Sequence, residues 1–219
     1  MISMIIAGID EAGRGPCIGP LVIGLVSIDK DKEEELIEIG VKDSKLLEKE
    51  VREKLYPEVK KLAKEYYTIK IPANEIDSLM NRHSLNEIEA MKAAILINQL
   101  KIKPNIVLAD SPDTLESNYA ERIKRYLSFK INIKSEHKAD FNYVVVGAAS
   151  ILAKVERDNE IEEMHKKYGN FGTGYPHDER TIKFIKDFLD KNDKLPDIVR
   201  KKWSTTDAIL NRKYQTKLF

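Results

Sequence analysis

Short apolar runs alternate with longer segments of helical periodicity along most of this chain of 219 residues. A chain of this length fits one large domain, or a domain with a small appendage. The apolar runs predict strands at residues 4–9, 21–28, 66–71, 106–109 and 130–134. The periodic segments predict helices at residues 44–65, 84–101, 115–127, 144–165 and 178–189. Such alternation is typical of α/β architecture, with a main domain expected at 1–192 and a C-terminal appendage at 193–219.

The balance of charge limits the kinds of partner that the chain can bind. Its net charge is only +1 although 33% of its residues are charged, so any binding of a polyanion needs a local patch. Residues 195–219 offer one, because they carry six Lys or Arg against two Asp. The single cysteine, Cys17, excludes an internal disulfide and fits a reducing compartment. No apolar stretch approaches the roughly 18 residues of a membrane span, and the first ten residues lack the basic segment of a signal peptide. We therefore expect a soluble, cytoplasmic protein.

Four acids stand where predicted strands end or a long helix is about to begin. Asp10 and Glu11 follow the first strand, Asp110 ends the NIVLAD strand, and Asp140 precedes the helix at 144–165. If the first and fourth strands are neighbours, Asp10 and Asp110 meet at one edge of the sheet. Carboxylates brought together repel one another unless a cation compensates, and hard oxygen ligands suit Mg²⁺ or Mn²⁺. The other interpretation is structural, because the chain holds 36 acids and helix caps favour Asp.

The segment GIDEAGRGP at residues 8–16 also fits the spacing of a phosphate-binding loop after a strand. The Lys-Ser/Thr pair of such a loop is absent, since Arg14 and Gly15 stand there instead. Pro16 and Pro20 oppose a helix directly after the loop, so no helix N-terminus would face a phosphate. The acids inside the segment would repel bare phosphate, which disfavours this interpretation.

Basic and hydroxyl side chains accompany the acids in several motifs. Ser44 and Lys45 lie in KDSKLL, where Ser44 is also a good helix cap. Ser150, Lys154 and Arg157 share one face of the predicted long helix, which either grips phosphates or is simply solvated. The motif GTGYPHD presents Tyr175, which either covers a core or stacks on a sugar or base. The four histidines lack the spacing of a zinc site, although His137 lies close to Asp140 in sequence.

Taken together, these motifs resemble those of ribonuclease HII in its archaeal form. The matching segments are GIDEAGRGP at 8–16, DSK at 43–45, LADSPD at 108–113, EHKAD at 136–140, AASILAKVERD at 148–158 and GTGYPHD at 172–178. They occur in the order found in that family and span most of the chain. The chain departs from the usual pattern at Cys17, where an aliphatic residue is common, and at Leu46, where a second lysine is frequent.

The resemblance implies a ribonuclease H-like fold, with a mixed five-stranded sheet flanked by helices and a small helical C-terminal region. It implies cleavage of the RNA strand of RNA/DNA hybrids and incision 5′ to single ribonucleotides in duplex DNA, leaving 3′-hydroxyl and 5′-phosphate ends. Two Mg²⁺ or Mn²⁺ ions would serve as cofactors.

The resemblance also assigns roles to individual residues. The metal-binding and catalytic acids would be Asp10, Glu11, Asp110 and Asp140, with Asp10 expected to bridge two ions. The residues that contact the substrate would be Gly13, Arg14, Gly15, Ser44, Lys45, Lys154 and Tyr175.

Two other functions remain open from the residues alone. One is a DNA resolvase or 3′ exonuclease of the same superfamily, and the other is a non-catalytic nucleic-acid-binding module. The tail sequence YQTKLF resembles, at most loosely, a peptide that docks on a replication sliding clamp. We expect the chain to act as a monomer.

Overall fold

The computed structural model describes residues 4–41 and 47–216. Its strands are β1 (Ile5–Ala12), β2 (Leu21–Asp29), β3 (Glu65–Ile71), β4 (Ile106–Asp110) and β5 (Asn132–Glu136). Its α-helices within these ranges are α1 (Glu33–Glu38), α2 (Lys49–Leu62), α3 (Ala73–Leu79), α4 (Leu85–Gln99), α5 (Glu116–Lys124), α6 (Ala139–Asn142), α7 (Val144–Tyr168), α8 (Glu179–Asn192) and α9 (Ser204–Thr216). None of them combines the length and apolarity needed to cross a membrane.

The five strands form one sheet in the order β3-β2-β1-β4-β5. β1 runs antiparallel to β2 and parallel to β4, and β4 runs parallel to β5. The expected mixed five-stranded sheet is therefore confirmed. Because β1 is the central strand, six of its eight residues are buried.

The register of β1 and β4 brings two of the predicted acids to the same edge. Ile9 pairs with Ala109, so the next residue of each strand, Asp10 and Asp110, emerges at the same end of the parallel pair. On the other side of β1, Asp10 lies opposite Gly24 of β2. Neighbouring strands thus place both carboxylates together, as the sequence pattern predicts for adjacent strands.

The first half of α7 lies directly on β1 and β2. A methyl group on Gly8 would overlap the backbone carbonyl of Val145, and one on Gly24 would lie 2.5 Å from the carbonyl oxygen of Ala149. Only glycine permits so close an approach of helix and strand backbones. The apolar side chains of this layer, among them Val26, Leu108 and Leu152, form the main core cluster.

The described chain divides into two compact units. The sheet unit holds residues 4–12, 22–41, 47–70 and 84–156, and the helical unit holds residues 13–21, 71–83 and 157–216. The helical unit has its own core, in which Ile18, Phe171, Ile185 and Val199 are buried. The expected boundary at residues 192 and 193 stays a prediction, and residues 193–216 belong to the helical unit together with residues 13–21.

Some element boundaries differ from those predicted. The helix expected from residue 44 begins at Lys49, because Glu48 has extended backbone angles and acts as its N-cap. The strand expected at 130–134 lies at Asn132–Glu136, since pairing with β4 extends it until Glu136 stands opposite Asp110. Periodicity missed the short helices α1, α3 and α6, which have too few turns to show a pattern. Helix α9 lies within the C-terminal region that the family resemblance predicted to be helical.

Candidate active site

Asp10 is a strongly perturbed acid of the sheet unit. Its side chain is 5% exposed, and its Oδ1 accepts a hydrogen bond of 2.8 Å from the backbone N–H of Glu11. Burial raises the pKa of Asp10 to about 7, and the negative charges of Asp110 and Asp140 add to that rise. The nearby Ser150 hydroxyl and the hydrogen bond from the Glu11 backbone act in the opposite direction, although Ser150 Oγ has no hydrogen-bond partner among the described residues. The charged form of Asp10 therefore needs a compensating positive charge.

A short irregular segment holds Asp110 and Asp140 in place. Asp110 Oδ1 accepts a hydrogen bond of 2.7 Å from the backbone N–H of Ala139, the residue before Asp140. Lys138 enters α6 with a left-handed φ of 58°, which turns the chain sharply at that point. The Asp140 side chain is buried, whereas Asp110 and Glu11 are half-buried. The end of β4 is thus bonded directly to the turn that carries the fourth acid.

The donor set of these four acids suits a hard divalent cation, because it consists only of carboxylate oxygens. The demand for positive charge at Asp10 fits such an ion as well. In the described ranges, however, no three His, Cys, Asp or Glu side chains converge closely enough to hold an ion as they stand. Asp10, Asp110 and Asp140 interact electrostatically, but the carboxylates do not converge on one point. Their side chains would have to rotate to bind an ion.

The Gly13–Gly15 segment begins the helical unit immediately after β1. Gly13 has a φ of +90°, a conformation that favours glycine, and a methyl group there would lie 2.5 Å from the Pro20 carbonyl and 2.6 Å from Arg157 Nε. Gly15 is exposed, and a methyl group on it would approach the Tyr175 ring to 3.3 Å. The segment therefore presents backbone rather than side chain at both glycines.

Tyr175 follows two glycines with positive φ, Gly172 and Gly174, and is half-buried. Its ring faces the guanidinium of Arg157, whose Cζ lies 5.6 Å from the ring centroid, and packs at 5.4 Å against the His177 ring. A cation over the aromatic face stabilises this arrangement. Tyr175 thus has fixed neighbours in Arg157 and His177.

The predicted basic residues have different environments. Ser44 and Lys45 lie outside the described residues, as does Leu46. Lys154 is half-buried on α7, one turn after Ser150. Ser150 and Arg157 are buried, so the expectation of a solvated face is wrong for both. A regular spacing shows that residues share a face of a helix, but it does not show what covers that face.

Burial lowers the pKa of Arg157, and its Nε and Nη2 have no hydrogen-bond partner among the described residues. The ring Nε2 of His137 lies 2.7 Å from the backbone oxygen of Asp113.

Sequence reasoning missed two residues, Arg200 and Trp203, which contact the Gly13–Gly15 segment. Arg200 is fully buried, and its guanidinium donates to the carbonyls of Gly13 and Arg14, while the Trp203 indole donates to that of Gly15. Arg200 is one of the six basic residues at 195–219 that the sequence suggests as a patch for a polyanion, and its burial excludes it from such a patch. No local pattern could have revealed these contacts, because they join residues more than 180 positions apart.

Comparison with known proteins identifies the family. The family model for ribonuclease HII matches residues 7–206. A ribonuclease HII from Pyrococcus horikoshii is 46% identical over 209 residues, which are 95% of this chain and 94% of that protein. The crystal structure of the ribonuclease H2 from Pyrococcus horikoshii OT3 matches with a TM-score of 0.91 at 45% identity, over 97% of this chain and 100% of that one. A PCNA:RNase HII complex from Archaeoglobus fulgidus matches with a TM-score of 0.83 at 38% identity, over 92% of this chain and 96% of that one. The chain therefore belongs to the ribonuclease HII family of enzymes.

Proposed function

We propose that this enzyme is an endonuclease that hydrolyses the RNA strand of RNA/DNA hybrids. It also incises duplex DNA on the 5′ side of a single embedded ribonucleotide, leaving 3′-hydroxyl and 5′-phosphate ends. The observation that carries the proposal is the buried Asp10, whose pKa is raised to about 7 beside the charges of Asp110 and Asp140. A group of acids that repel one another in the core is costly for a protein that only binds the polyanionic backbone of a nucleic acid.

Asp10, Glu11, Asp110 and Asp140 are the proposed ligands of two divalent cations, Mg²⁺ or Mn²⁺, which bind together with the substrate. Such ions supply activation of the attacking water and neutralisation of charge on the departing 3′ oxygen. The chain's own contribution is to keep Asp10 deprotonated, and the hydrogen bond from the Glu11 backbone and the nearby Ser150 hydroxyl serve this purpose. The contact of Asp110 with the Ala139 backbone holds a second carboxylate in a fixed orientation.

Selection of the ribonucleotide falls to residues of the helical unit. The 2′-hydroxyl is the group that distinguishes RNA from DNA at a given position. Backbone N–H groups of Gly13–Gly15 bind this hydroxyl in our proposal, because glycine allows the sugar to come close. Tyr175 contacts the next sugar and favours deoxyribose. Ser44, Lys45 and Lys154 bind phosphates, so affinity for the duplex falls as the salt concentration rises.

A replication sliding clamp is the proposed protein partner, with the C-terminal tail as the docking segment. Support comes from the Archaeoglobus fulgidus relative, whose structure is that of a PCNA:RNase HII complex. The last residues of the YQTKLF tail, 217–219, lie outside the described residues. Removal of these three residues is expected to abolish binding to the clamp in a calorimetric titration and to leave cleavage of a short duplex unchanged. The enzyme otherwise acts as a cytoplasmic monomer.

The decisive experiment is cleavage of an end-labelled duplex DNA that carries one ribonucleotide, with Mg²⁺ or Mn²⁺ added separately. We expect one cut on the 5′ side of the ribonucleotide and none in the all-deoxy duplex. Equal cutting of the all-deoxy duplex would favour a resolvase or exonuclease instead. Tight binding without any cleavage in either metal would indicate a binding module.

A further inference from the structure

Three consecutive backbone carbonyls of the helical unit each accept a hydrogen bond from one of two side chains. Arg200 Nη2 donates to the Gly13 carbonyl at 2.6 Å, and Arg200 Nη1 donates to the Arg14 carbonyl at 3.2 Å. Trp203 Nε1 donates to the Gly15 carbonyl at 3.1 Å. Arg200 Nε also donates to the Gly19 carbonyl at 3.0 Å, which ties the far end of the same loop to the same side chain.

The Arg200 side chain is held more firmly than a surface arginine. It is fully buried, and its guanidinium lies 4.6 Å from the Trp203 ring centroid. Burial and the nearby charge of Arg157 lower the pKa of Arg200 to about 9. Burying a cation is costly unless its donors are satisfied, so the carbonyls of the loop and Arg200 depend on one another. A planar fork of donors can hold several carbonyls at once, which the single ammonium of a lysine cannot do in the same way.

The orientation of the carbonyls determines that of the neighbouring N–H groups. All peptide bonds in the described ranges are trans, and in a planar trans peptide the C=O and the following N–H point in opposite directions. Because the Gly13 and Arg14 carbonyls point at Arg200, the N–H groups of Arg14 and Gly15 point away from it. The Gly15 carbonyl precedes Pro16, which has no N–H, so Trp203 fixes the end of the loop without removing a donor.

We propose that Arg200 and Trp203 are positioning residues for ribonucleotide recognition. They hold the Gly13–Gly15 backbone in the one orientation that presents the N–H groups of Arg14 and Gly15 to a 2′-hydroxyl. This inference rests on the proposed function, in which those N–H groups contact the sugar. Neither side chain needs to touch the substrate to act in this way.

The variants Trp203→Phe and Arg200→Lys test the proposal in the full-length protein. Trp203→Phe removes one donor and keeps an aromatic ring beside Arg200, and Trp203 is only half-buried, so this variant should fold. The measurement is the dissociation constant, in EDTA to prevent turnover, for two duplex DNAs that differ by a single 2′-hydroxyl. The ratio of the two constants is the preference for the ribonucleotide.

We expect this preference to fall roughly two- to tenfold in each variant, the equivalent of one hydrogen bond, while affinity for the all-deoxy duplex stays constant. Lys202→Ala is the matched control, since Lys202 is exposed and bonds to Asn81. This variant should leave the preference unchanged, because any loss of affinity should be the same for both duplexes. A wild-type preference that persists unchanged in Trp203→Phe would overturn the positioning role alone. If the wild type binds the two duplexes equally tightly, the proposed 2′-hydroxyl contact is overturned, and the inference with it.

Discussion

The sheet edge that carries Asp10 and Asp110, here called the acid edge, and the Gly13–Gly15 segment differ in how well their charges and dipoles are compensated, although Asp10 lies close to the segment in sequence. At the acid edge, Asp10 is buried beside charges of its own sign, and its pKa rises to about 7. In the segment, the carbonyls of Gly13, Arg14 and Gly15 all receive hydrogen bonds from Arg200 and Trp203. As they stand, the first region carries repulsion between like charges, whereas the second is already ordered. In the proposed function, catalysis and selection therefore rest on opposite degrees of preorganisation.

The largest expected effect is at the acid edge. Asp10→Asn removes the charge that the proposed cations require, so cleavage of a ribonucleotide-containing duplex should fall at least about a thousandfold, at or above the upper end for a single electrostatic catalytic group. Steady-state kinetics in Mg²⁺ and in Mn²⁺ provide the measurement. Asp113→Asn is the matched control, because Asp113 is equally buried but pairs with Arg122 at 2.9 Å. It should lower the melting temperature and keep most activity; equal loss in both variants would contradict the special role of Asp10.

The repulsion at the acid edge should also be visible in stability. Because the pKa of Asp10 is raised in the folded state, the folded protein holds a proton that the unfolded chain has already lost between pH 4 and 7. The free energy of unfolding therefore falls as pH rises through this window, by up to about 4 kcal/mol at 1.4 kcal/mol per pKa unit. Urea denaturation in EDTA should show Asp10→Asn gaining stability relative to the wild type as pH rises. Parallel curves for the two proteins would contradict the raised pKa.

The preorganised segment should respond to steric strain instead of charge. Gly13 and Gly40 both have positive φ, +90° and +96°, but a methyl group meets close neighbours only at Gly13. Gly40→Ala should cost about 1–2 kcal/mol for its backbone conformation, and Gly13→Ala about 1–3 kcal/mol more for overlap. Chemical denaturation measures both, and a loss of ribonucleotide preference should accompany only Gly13→Ala. Equal destabilisation of the two variants would show that the segment can relax.

The smallest expected effect concerns Ser150, whose nearby hydroxyl lowers the pKa of Asp10. Ser150→Ala should raise that pKa further and move the acid limb of the pH–rate profile upward. Cleavage at neutral pH should fall about threefold, within the range of one hydrogen bond, and should recover at higher pH. A loss of activity that is the same at every pH would point to a packing defect in α7 instead.

The sequence predicted those features that depend on local pattern. Asp10 and Asp110 could be placed at one edge because each ends an apolar run, and the parallel register of β1 and β4 fulfils that condition. The start of α2 could not be placed, since extended backbone at Glu48 overrides the periodicity that continues through Leu47. In the sequence, Arg200 is not distinguishable from the other basic residues at 195–219. Only the fold shows that its guanidinium donates hydrogen bonds to backbone carbonyls.

The two glycines beneath α7 have a consequence for how this enzyme tolerates mutation. Gly8 and Gly24 have no side chain, and the missing methyl groups let α7 lie close to the sheet. Asp10 lies on the same face of the sheet as both glycines. A larger residue at either position would lift the helix and move Ser150 away from Asp10. In a scan of all substitutions under selection for nuclease activity, these two positions should therefore be as intolerant as the acids themselves. The reactivity of Asp10 would then depend on the absence of side chains at Gly8 and Gly24.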